Sequence, residues 1–269
     1  MLSYESLIEQ AKLKRIPHTK IRGVLREYLQ ILILKELYKI EDGRKLYFTG
    51  GTYLRLVDDL KRFSEDLDFN TNILTKREFE KLTIRLRNEL KRVGIDTKIT
   101  FAHWDNIYVA KLIFPEIEKD YNVVSRYSKK DGIMIKIEAN KTKHEIKTET
   151  SAVSGFGEFF PCVCTDKGIL FADKIDALGK KNRGRHVYDV IFMLSNKYPI
   201  DRNFLSGLGV KKDPLQAIAD RIKGFSDKQL KKQADVLRPF LFDEAEADLV
   251  ANASDIIPAL LEKYSKIHP

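Results

Sequence analysis

The spacing of apolar residues divides the chain into a helical start, a strand-rich middle and a helical end. Apolar positions recur every three to four residues over 3–16 and 20–39, which predicts two helices. Thr75 and Glu78 have the spacing of a capping box and predict another helix, which ends near Gly94. Short apolar or alternating runs predict strands over four segments: 45–49, 95–101, 106–114 and 132–140.

The pattern becomes almost wholly helical after the Pro161-Cys162 break. The first helix of this part is predicted over 166–181, where Thr165 can cap it. Residues 115–131 are polar and irregular, which is typical of a flexible loop. We therefore expect an α+β fold with two lobes, a core with a mixed β-sheet flanked by helices and a mainly helical C-terminal lobe. The two lobes span residues 1–158 and 159–269.

One stretch, LYFTGGTYLRLVDDLKRFSEDLDFN over 46–70, carries most of the candidate chemistry. Its short apolar run ends at Gly50-Gly51, and a helical pattern follows. Paired glycines between a strand and a helix let the backbone approach a ligand closely, and a helix N-terminus attracts anions. The stretch ends with Asp66 and Asp68, whose spacing of two places both carboxylates on one face of a strand.

A phosphate-binding bend next to two convergent carboxylates has the parts that metal-assisted phosphoryl transfer requires. Carboxylate oxygens are the hard ligands that Mg²⁺ prefers, and the bend suits a triphosphate. The stretch therefore predicts the nucleotide and metal site of a nucleotidyltransferase that uses an NTP with Mg²⁺ or Mn²⁺. No G-x-x-x-x-G-K-[ST] motif is present, which argues against a P-loop NTPase.

Glu138 is the candidate for a third carboxylate. In the strand around it, Ile133, Ile135 and Ile137 share one face, while Lys136 and Glu138 share the other. A pair of magnesium ions needs more carboxylate oxygen than two aspartates comfortably supply, so Glu138 is predicted to complete the metal site. Strand alternation leaves one alternative open, in which Glu138 is a structural residue paired with a nearby lysine.

The order strand, Gly-Gly-Thr, helix and S-x-D-x-D-F resembles the opening signature of the DNA polymerase beta-like nucleotidyltransferase superfamily. GGTxLR followed by R-F-S-x-D-L-D-F is similar to the AbiEii/AbiGii toxin family, the toxin half of bacterial toxin–antitoxin and phage-resistance pairs. The motifs cover roughly residues 45–195. The resemblance implies an antitoxin encoded alongside and an RNA acceptor, specifically the 3′ end of tRNA, whose extension would block translation.

Three further residues of this stretch are candidates for nucleotide binding. Thr52 is expected to cap the helix and to hold the triphosphate together with Gly50 and Gly51. Arg55 lies one turn into the helix, where it is either a phosphate contact or an exposed helical arginine. Ser64 belongs to the nucleotide-contacting motif of the family, although its position also suits a simple turn residue.

Two residues beyond the predicted sheet are further candidates for the active site. Lys174 falls on the apolar stripe of its helix. Burying a lysine there costs free energy unless its ammonium faces a cleft, a carboxylate or a phosphate. The alternative is that the side chain extends along the apolar surface and places its ammonium in solvent. Its surroundings also resemble the family's lysine-bearing helix, AxKxxAL. Asp189 matches the second acid of the family's R-D-x-x-D-L motif, and His186 replaces the first. Asp189 is predicted to orient Lys174 or activate the acceptor, or else to pair with Arg185 in a helical i, i+4 ion pair.

Composition narrows the class of protein. The net charge of +9 suits a polyanionic partner, although a lysine-rich soluble surface would give the same balance. Cys162 and Cys164 lack a matching His/Cys cluster, which favours two reduced thiols in a cytosolic protein over a zinc site. No apolar run approaches the ~20 residues of a membrane span, and the acid-containing N-terminus predicts a helix and not a signal.

Three functions compete on these grounds. The first is a toxin that transfers NMP to tRNA in the cytoplasm. The second is a small-molecule nucleotidyltransferase of the antibiotic-modifying kind, although a basic acceptor would favour an acidic cleft over the positive balance of this chain. The third is a catalytically idle binding protein, against which three convergent carboxylates argue, because without a cation they repel one another.

Overall fold

The structure is a computed structural model that describes residues 1–123 and 132–267. The chain forms two compact units. The first consists of Met1–Asp59 and Phe63–Thr165, and the second of Leu60–Arg62 and the chain from Asp166 onward. The domain boundary expected near residue 158 stays a prediction.

The first unit contains helices and all seven described strands. Its helices are α1 (Tyr4–Leu13), α2 (Ile21–Lys39), α3 (Gly50–Leu56), α4 (Lys76–Arg92) and α5 (Ile117–Asp120). Its strands are β1 (Tyr47–Thr49), β2 (Leu67–Thr71), β3 (Lys98–Trp104), β4 (Ile107–Phe114), β5 (Ile133–Lys141), β6 (Thr148–Gly155) and β7 (Glu158–Thr165). The helices predicted over 3–16 and 20–39 and the Thr75–Glu78 capping box are confirmed.

The strands form one mixed sheet in the order β3-β4-β5-β2-β1-β7-β6. β2 pairs parallel with β5, β1 pairs parallel with β7, and the remaining neighbours are antiparallel. The mixed sheet flanked by helices expected from the sequence is therefore confirmed. In this strand order β2, which follows Asp66, lies between β1 and β5. The strand before the Gly50 bend, the strand with Asp68 and the strand with Glu138 are therefore neighbours in the sheet.

The apolar positions of these strands build the core of the first unit. Ile133, Ile135 and Ile137 of β5 are fully buried, as their alternation predicts. α2 packs against β5, β6 and β7, and α4 packs against β3 and β4. Behind the start of α3, the Phe48 ring lies 5.9 Å from the Tyr53 ring and 5.6 Å from the Phe69 ring, between centroids. This aromatic cluster anchors β1, α3 and β2 to one another.

Two segments differ from the sequence prediction. The break around Pro161 lies inside β7, which forms a hairpin with β6 and has β1 as a neighbour only near Cys164. At Pro161, β7 has only β6 as a partner strand. A proline, which lacks an N–H donor, is acceptable in a strand with one open side. Part of the loop predicted over 115–131 is the single-turn helix α5, while its residues 124–131 lie outside the described part of the chain.

The second unit is helical, as expected for the C-terminal part. Its helices are α6 (Lys167–Lys180), α7 (Gly184–Ser195), α8 (Arg202–Gly207), α9 (Pro214–Lys223), α10 (Asp227–Leu237), α11 (Ala247–Ala251) and α12 (Ala253–Ser265). The residue that caps α6 is Asp166 and not Thr165, because the Asp166 carboxylate accepts hydrogen bonds from the N–H groups of Gly168 and Ile169. None of the described helices is long and apolar enough to cross a membrane.

Candidate active site

The bend between β1 and α3 brings the backbone against an acidic side chain. Gly50 has φ +83°, and a Cβ built on it would lie 2.3 Å from Oδ2 of Asp68. Only glycine fits there, since both the left-handed backbone and the close approach exclude a side chain. Helix α3 begins three residues earlier than expected, because Thr49 and not Thr52 is its N-cap. Gly51 is buried in the first turn of the helix.

Thr52 fixes the acidic segment to the helix. Its side chain is fully buried, and its hydroxyl donates a short hydrogen bond to the backbone carbonyl of Asp66. The hydroxyl is therefore engaged inside the protein, and its visible role is to position Asp66. Binding of a nucleotide by Thr52 stays a prediction.

Asp66, Asp68 and Glu138 lie together on one face of the sheet. β2 and β5 pair in parallel with Asp68 directly beside Glu138, so their side chains share a face. The ammonium of Lys136 lies 3.1 Å from Oδ2 of Asp66 and 3.0 Å from Oε1 of Glu138, which places these two carboxylates on that face as well. All of these contacts lie inside the first unit, and the side chains of Asp66, Lys136 and Glu138 are 27–30% exposed.

Lys136 is the cation of this carboxylate group. Partial burial lowers the pKa of its ammonium, but the hydrogen bond to Glu138 and the charge of Asp66 outweigh that effect and raise the pKa above its ordinary value. Lys136 is therefore charged at neutral pH. The pairing of Glu138 with a nearby lysine, the alternative left open by the sequence, is present in the structure.

The other two candidates in this stretch have partners inside the protein. The guanidinium of Arg55 is buried and binds the carboxylate of Glu27 through two hydrogen bonds of 2.9 and 3.0 Å. It also donates to Asp59 at 2.7 Å. Arg55 is thus neither an exposed helical arginine nor a free phosphate ligand in this structure, and its role as a phosphate contact stays a prediction. The Ser64 carbonyl accepts a hydrogen bond from Gln30 of α2, at 3.1 Å, which holds the loop before β2.

In the second unit, Asp189 is the centre of a buried ionic group. Its carboxylate is fully buried and accepts hydrogen bonds from Nε and Nη2 of Arg62, at 2.8 and 2.9 Å, and from Nζ of Lys174, at 2.7 Å. Burial on its own would raise the pKa of Asp189, but Arg62 and Lys174 together hold it well below the ordinary value. The structure thus brings Lys174 and Asp189 together, and the partners of Asp189 are Arg62 and Lys174 and not Arg185, the alternative left open by the sequence.

His186, at the position where the family motif has an acid, lies one helical turn before Asp189. The side chain is buried, and neither ring nitrogen has a hydrogen-bond partner among the described residues. Burial, and then the nearby charge of Lys174, lower the pKa of the imidazole to about 3, so the ring is neutral at neutral pH.

Two of the candidate carboxylates suit a metal ion that arrives with the nucleotide. Within residues 1–123 and 132–267, no three His, Cys, Asp or Glu side chains are grouped so that they could hold a metal ion. Asp66 and Asp68 nevertheless offer the carboxylate oxygens that suit Mg²⁺, which proteins commonly bind through one or two carboxylates plus substrate phosphates. The residues therefore fit a nucleotide-borne Mg²⁺ at the two aspartates, although the ammonium of Lys136 engages one oxygen of Asp66 as well as one of Glu138.

A family model described as "Nucleotidyl transferase AbiEii toxin, Type IV TA system" matches residues 32–262. The chain belongs to the AbiEii family. It is a nucleotidyltransferase toxin of a type IV toxin–antitoxin system, which confirms the resemblance of its GGTxLR and R-F-S-x-D-L-D-F motifs to this toxin family. The match extends well beyond the motif-bearing residues 45–195 and includes most of the helical second unit.

Solved structures resemble this AbiEii-family chain in fold. MenT4, a nucleotidyltransferase toxin from Mycobacterium tuberculosis, matches with a TM-score of 0.58 and 16% identity over 98% of this chain and 93% of its own. JHP933 from Helicobacter pylori matches with a TM-score of 0.56 and 17% identity over 91% of this chain and 94% of its own. A putative nucleotidyltransferase from H. pylori gives a TM-score of 0.55 at 17% identity, covering 90% and 96%. No curated protein matched the chain.

Three charged residues of these groups were missed by the sequence analysis: Glu27, Arg62 and Lys136. A local signal existed for Lys136, since it stands two residues before Glu138 on the same strand face. Arg62 opens the R-F-S-x-D-L-D-F motif, so the family pattern pointed to it without giving it a partner. Glu27 lies within an apolar helix, where a buried acid implies a buried cation.

Proposed function

We propose that this toxin transfers NMP from an NTP to the 3′ end of a tRNA and thereby blocks translation. The observation that carries the proposal is the position of Asp66, Asp68 and Glu138 on one face of the sheet beside the Gly50 bend. The net charge of +9 supports a polyanionic acceptor, and the tRNA end is implied by the family resemblance.

In this mechanism the bend at Gly50 and Gly51 receives the triphosphate, because the backbone there carries no side chain that would keep phosphate away. Asp66 and Asp68 would hold Mg²⁺, with Mn²⁺ as a substitute. The metal would supply charge neutralisation on the triphosphate when bound. Thr52 and Ser64 keep the segment that carries these aspartates in place through their contacts with Asp66 and α2.

The acceptor hydroxyl attacks the α-phosphorus, the bond to the bridging oxygen of the β-phosphate breaks, and pyrophosphate leaves with that electron pair. Glu138 receives the proton of the attacking hydroxyl. In the second unit, Asp189 orients Lys174 through the 2.7 Å hydrogen bond between them. A phosphate contact by Lys174 is the part of the proposal that comes from the family resemblance. The protein thus acts mainly by positioning reactants and stabilising developing charge.

The experiment that tests the proposal is transfer of α-labelled nucleotide. The chain is incubated with Mg²⁺, total tRNA and each of the four NTPs in turn, and label is measured in tRNA and in small molecules. We expect label in intact tRNA and none in tRNA whose 3′ terminal diol has been oxidised with periodate. Label in small molecules alone would establish the small-molecule function, and no label with any NTP would establish the idle binding protein.

The same proposal includes a cognate antitoxin and a cytoplasmic location, where tRNA and NTP are available. A role in phage resistance follows if the antitoxin is lost during infection. Co-expression of the chain with the neighbouring gene should restore growth that the chain alone arrests. Equal growth arrest with and without that gene would contradict the assignment of the partner.

A further inference from the structure

The sheet face that carries the acids continues beyond Glu138 across β4 and β3. In the register of the sheet, Glu138 lies opposite Val109 of β4, and Val109 lies opposite Ala102 of β3. Residues directly opposite each other share a face, and so do residues two positions apart along a strand. Trp104 and Lys111 therefore lie on the same face as Glu138.

Helix α4 packs against the other face of β3 and β4. The Phe79 ring of α4 lies 5.9 Å from the Tyr108 ring of β4, between centroids. The Lys76 ammonium of α4 lies 3.0 Å from Nδ1 of His103 in β3. His103 precedes Trp104, so the two side chains point to opposite faces. Trp104 is thus on the side away from α4, where its side chain is 56% exposed.

The residues around Trp104 combine apolar surface with positive charge. Ile107 and Met134 are each 38% exposed on this face, and Lys98 and Lys111 lie between them in the register. Neither β3 nor β4 contains an acidic residue, and neither lysine has an ion-pair partner among the residues that the structure describes. Aromatic surface for base stacking and cations for the phosphates are what single-stranded nucleic acid requires. A wholly apolar partner would bury the two ammonium groups without acceptors.

The strand order places this surface on the acceptor side of the candidate active site. The Gly50 bend adjoins β1 on one side of β2, whereas β5, β4 and β3 follow on the other side. Trp104 is two strands and two residues away from Glu138, which corresponds to about 12 Å at ordinary strand spacing and rise. Stacked nucleotides of one strand are about 3.4 Å apart, so about three or four nucleotides span this distance.

We propose that the Trp104 face binds the unpaired 3′ end of the acceptor RNA. This face consists of Lys98, Trp104, Ile107, Lys111 and Met134. One base stacks on Trp104, and Lys98 and Lys111 bind phosphates, while the terminal hydroxyl lies at Glu138. The inference rests on the proposed function of the acids and adds the surface that holds the acceptor.

Trp104 is the only tryptophan of the chain, so intrinsic tryptophan fluorescence reports on this face directly. The wild type is titrated with a single-stranded RNA of about eight nucleotides, within the usual site size of such a surface. The comparison probe is the same RNA annealed to its complement as a blunt duplex, which offers no free base for stacking. We expect the single strand to quench the fluorescence and the duplex to leave it unchanged. Unchanged fluorescence with both probes would overturn the inference.

Variants are compared by the fluorescence anisotropy of the same single strand carrying a 5′ fluorescein. Trp104→Ala should bind at least about tenfold more weakly, because stacking of one base contributes about 1–3 kcal/mol. Trp104→Phe keeps an aromatic ring and should stay within about threefold of the wild type. Phe159→Ala is the matched control, since Phe159 is 76% exposed on β7 at the other end of the sheet. Affinity of Trp104→Ala equal to that of Phe159→Ala would overturn the inference.

The lysines are tested through the salt dependence of the same binding. Each phosphate bound to a cation contributes about 0.7 to the slope of log affinity against log salt for a single strand. Lys98→Met/Lys111→Met should therefore lower the magnitude of this slope by about 1.4. An unchanged slope would remove these two lysines from the proposed surface.

The transfer assay separates this inference from the proposed function. Trp104→Ala should raise the KM for tRNA at least about fivefold and leave the KM for NTP within about twofold. Quenching by single-stranded RNA in a chain that labels no acceptor would retain the RNA-binding face and remove the proposed function. Label in tRNA with unquenched Trp104 would do the reverse. Quenching by a co-purified antitoxin and not by RNA would assign the face to a protein partner and overturn the inference.

Discussion

Asp189→Asn should be among the most destabilising single changes in the second unit. The substitution removes the negative charge that Arg62 and Lys174 share, while both cations keep at most 10% of their side chains exposed. Removing one partner of a buried ion pair costs about 3–5 kcal/mol of unfolding free energy, because the remaining charge stays buried without compensation. Since two cations are left here, we expect a loss toward the upper end of that range.

The free energy of unfolding is measured by equilibrium denaturation in guanidinium chloride, followed by circular dichroism. Asp176→Asn is the control, because Asp176 forms an i, i+4 pair with the exposed Lys180 in α6, and its loss should cost less than about 0.5 kcal/mol. Lys174→Met should cost less than Asp189→Asn, since the two hydrogen bonds from Arg62 to Asp189 survive. A loss below about 1 kcal/mol for Asp189→Asn would refute this account of the ionic group.

The same group predicts how stability responds to acid. The pKa of Asp189 in the folded protein is held below its unfolded value of about 3.9, so protonation favours the unfolded chain. The contribution of Asp189 is therefore complete above about pH 4 and is lost as the pH falls through the lower folded pKa. Unfolding free energies measured between about pH 7 and 3 should fall more steeply at the acid end in the wild type than in Asp189→Asn. Parallel curves would contradict the prediction.

Two further substitutions test the first unit. Gly50→Ala should abolish transfer and lower the free energy of unfolding by about 2–4 kcal/mol, since its methyl group would meet Asp68 in a left-handed backbone. Gly94→Ala is the control: Gly94 has a similar φ with open space around it, so the loss should be only about 1 kcal/mol. Arg55→Met should cost about 3–5 kcal/mol in guanidinium denaturation because it leaves buried Glu27 unpaired. Equal losses for the two glycine variants, or a loss below about 1 kcal/mol for Arg55→Met, would contradict these assignments.

The shared face of the acids was predictable because strand alternation is a local rule. Asp66 and Asp68 are two residues apart, so they share a face. The isoleucines of β5 are buried on one face of the strand, so Glu138 must lie on the other. What alternation could not supply was the strand order, and β2 between β1 and β5 is what places Glu138 beside Asp68.

The ion pairs were less predictable because they join distant positions. Arg62 and Asp189 are 127 residues apart, and nothing in the spacing of either residue names the other. Arg55 has the sequence context of an exposed helical arginine, yet Glu27, 28 positions earlier, holds it in the interior. The position of Pro161 inside β7 was not predictable, because a proline in a strand is acceptable where one side of the strand lacks a neighbour, which is a property of the sheet.

The most direct test of the account is nucleotide transfer by the Asp66→Asn/Asp68→Asn double variant. The two amides keep the shape of the side chains but remove the charges that are proposed to hold the metal. With circular dichroism unchanged, we expect label in tRNA to fall at least about 10³-fold below the wild type. Transfer within about tenfold of the wild type would contradict the claim that these aspartates are the centre of the active site.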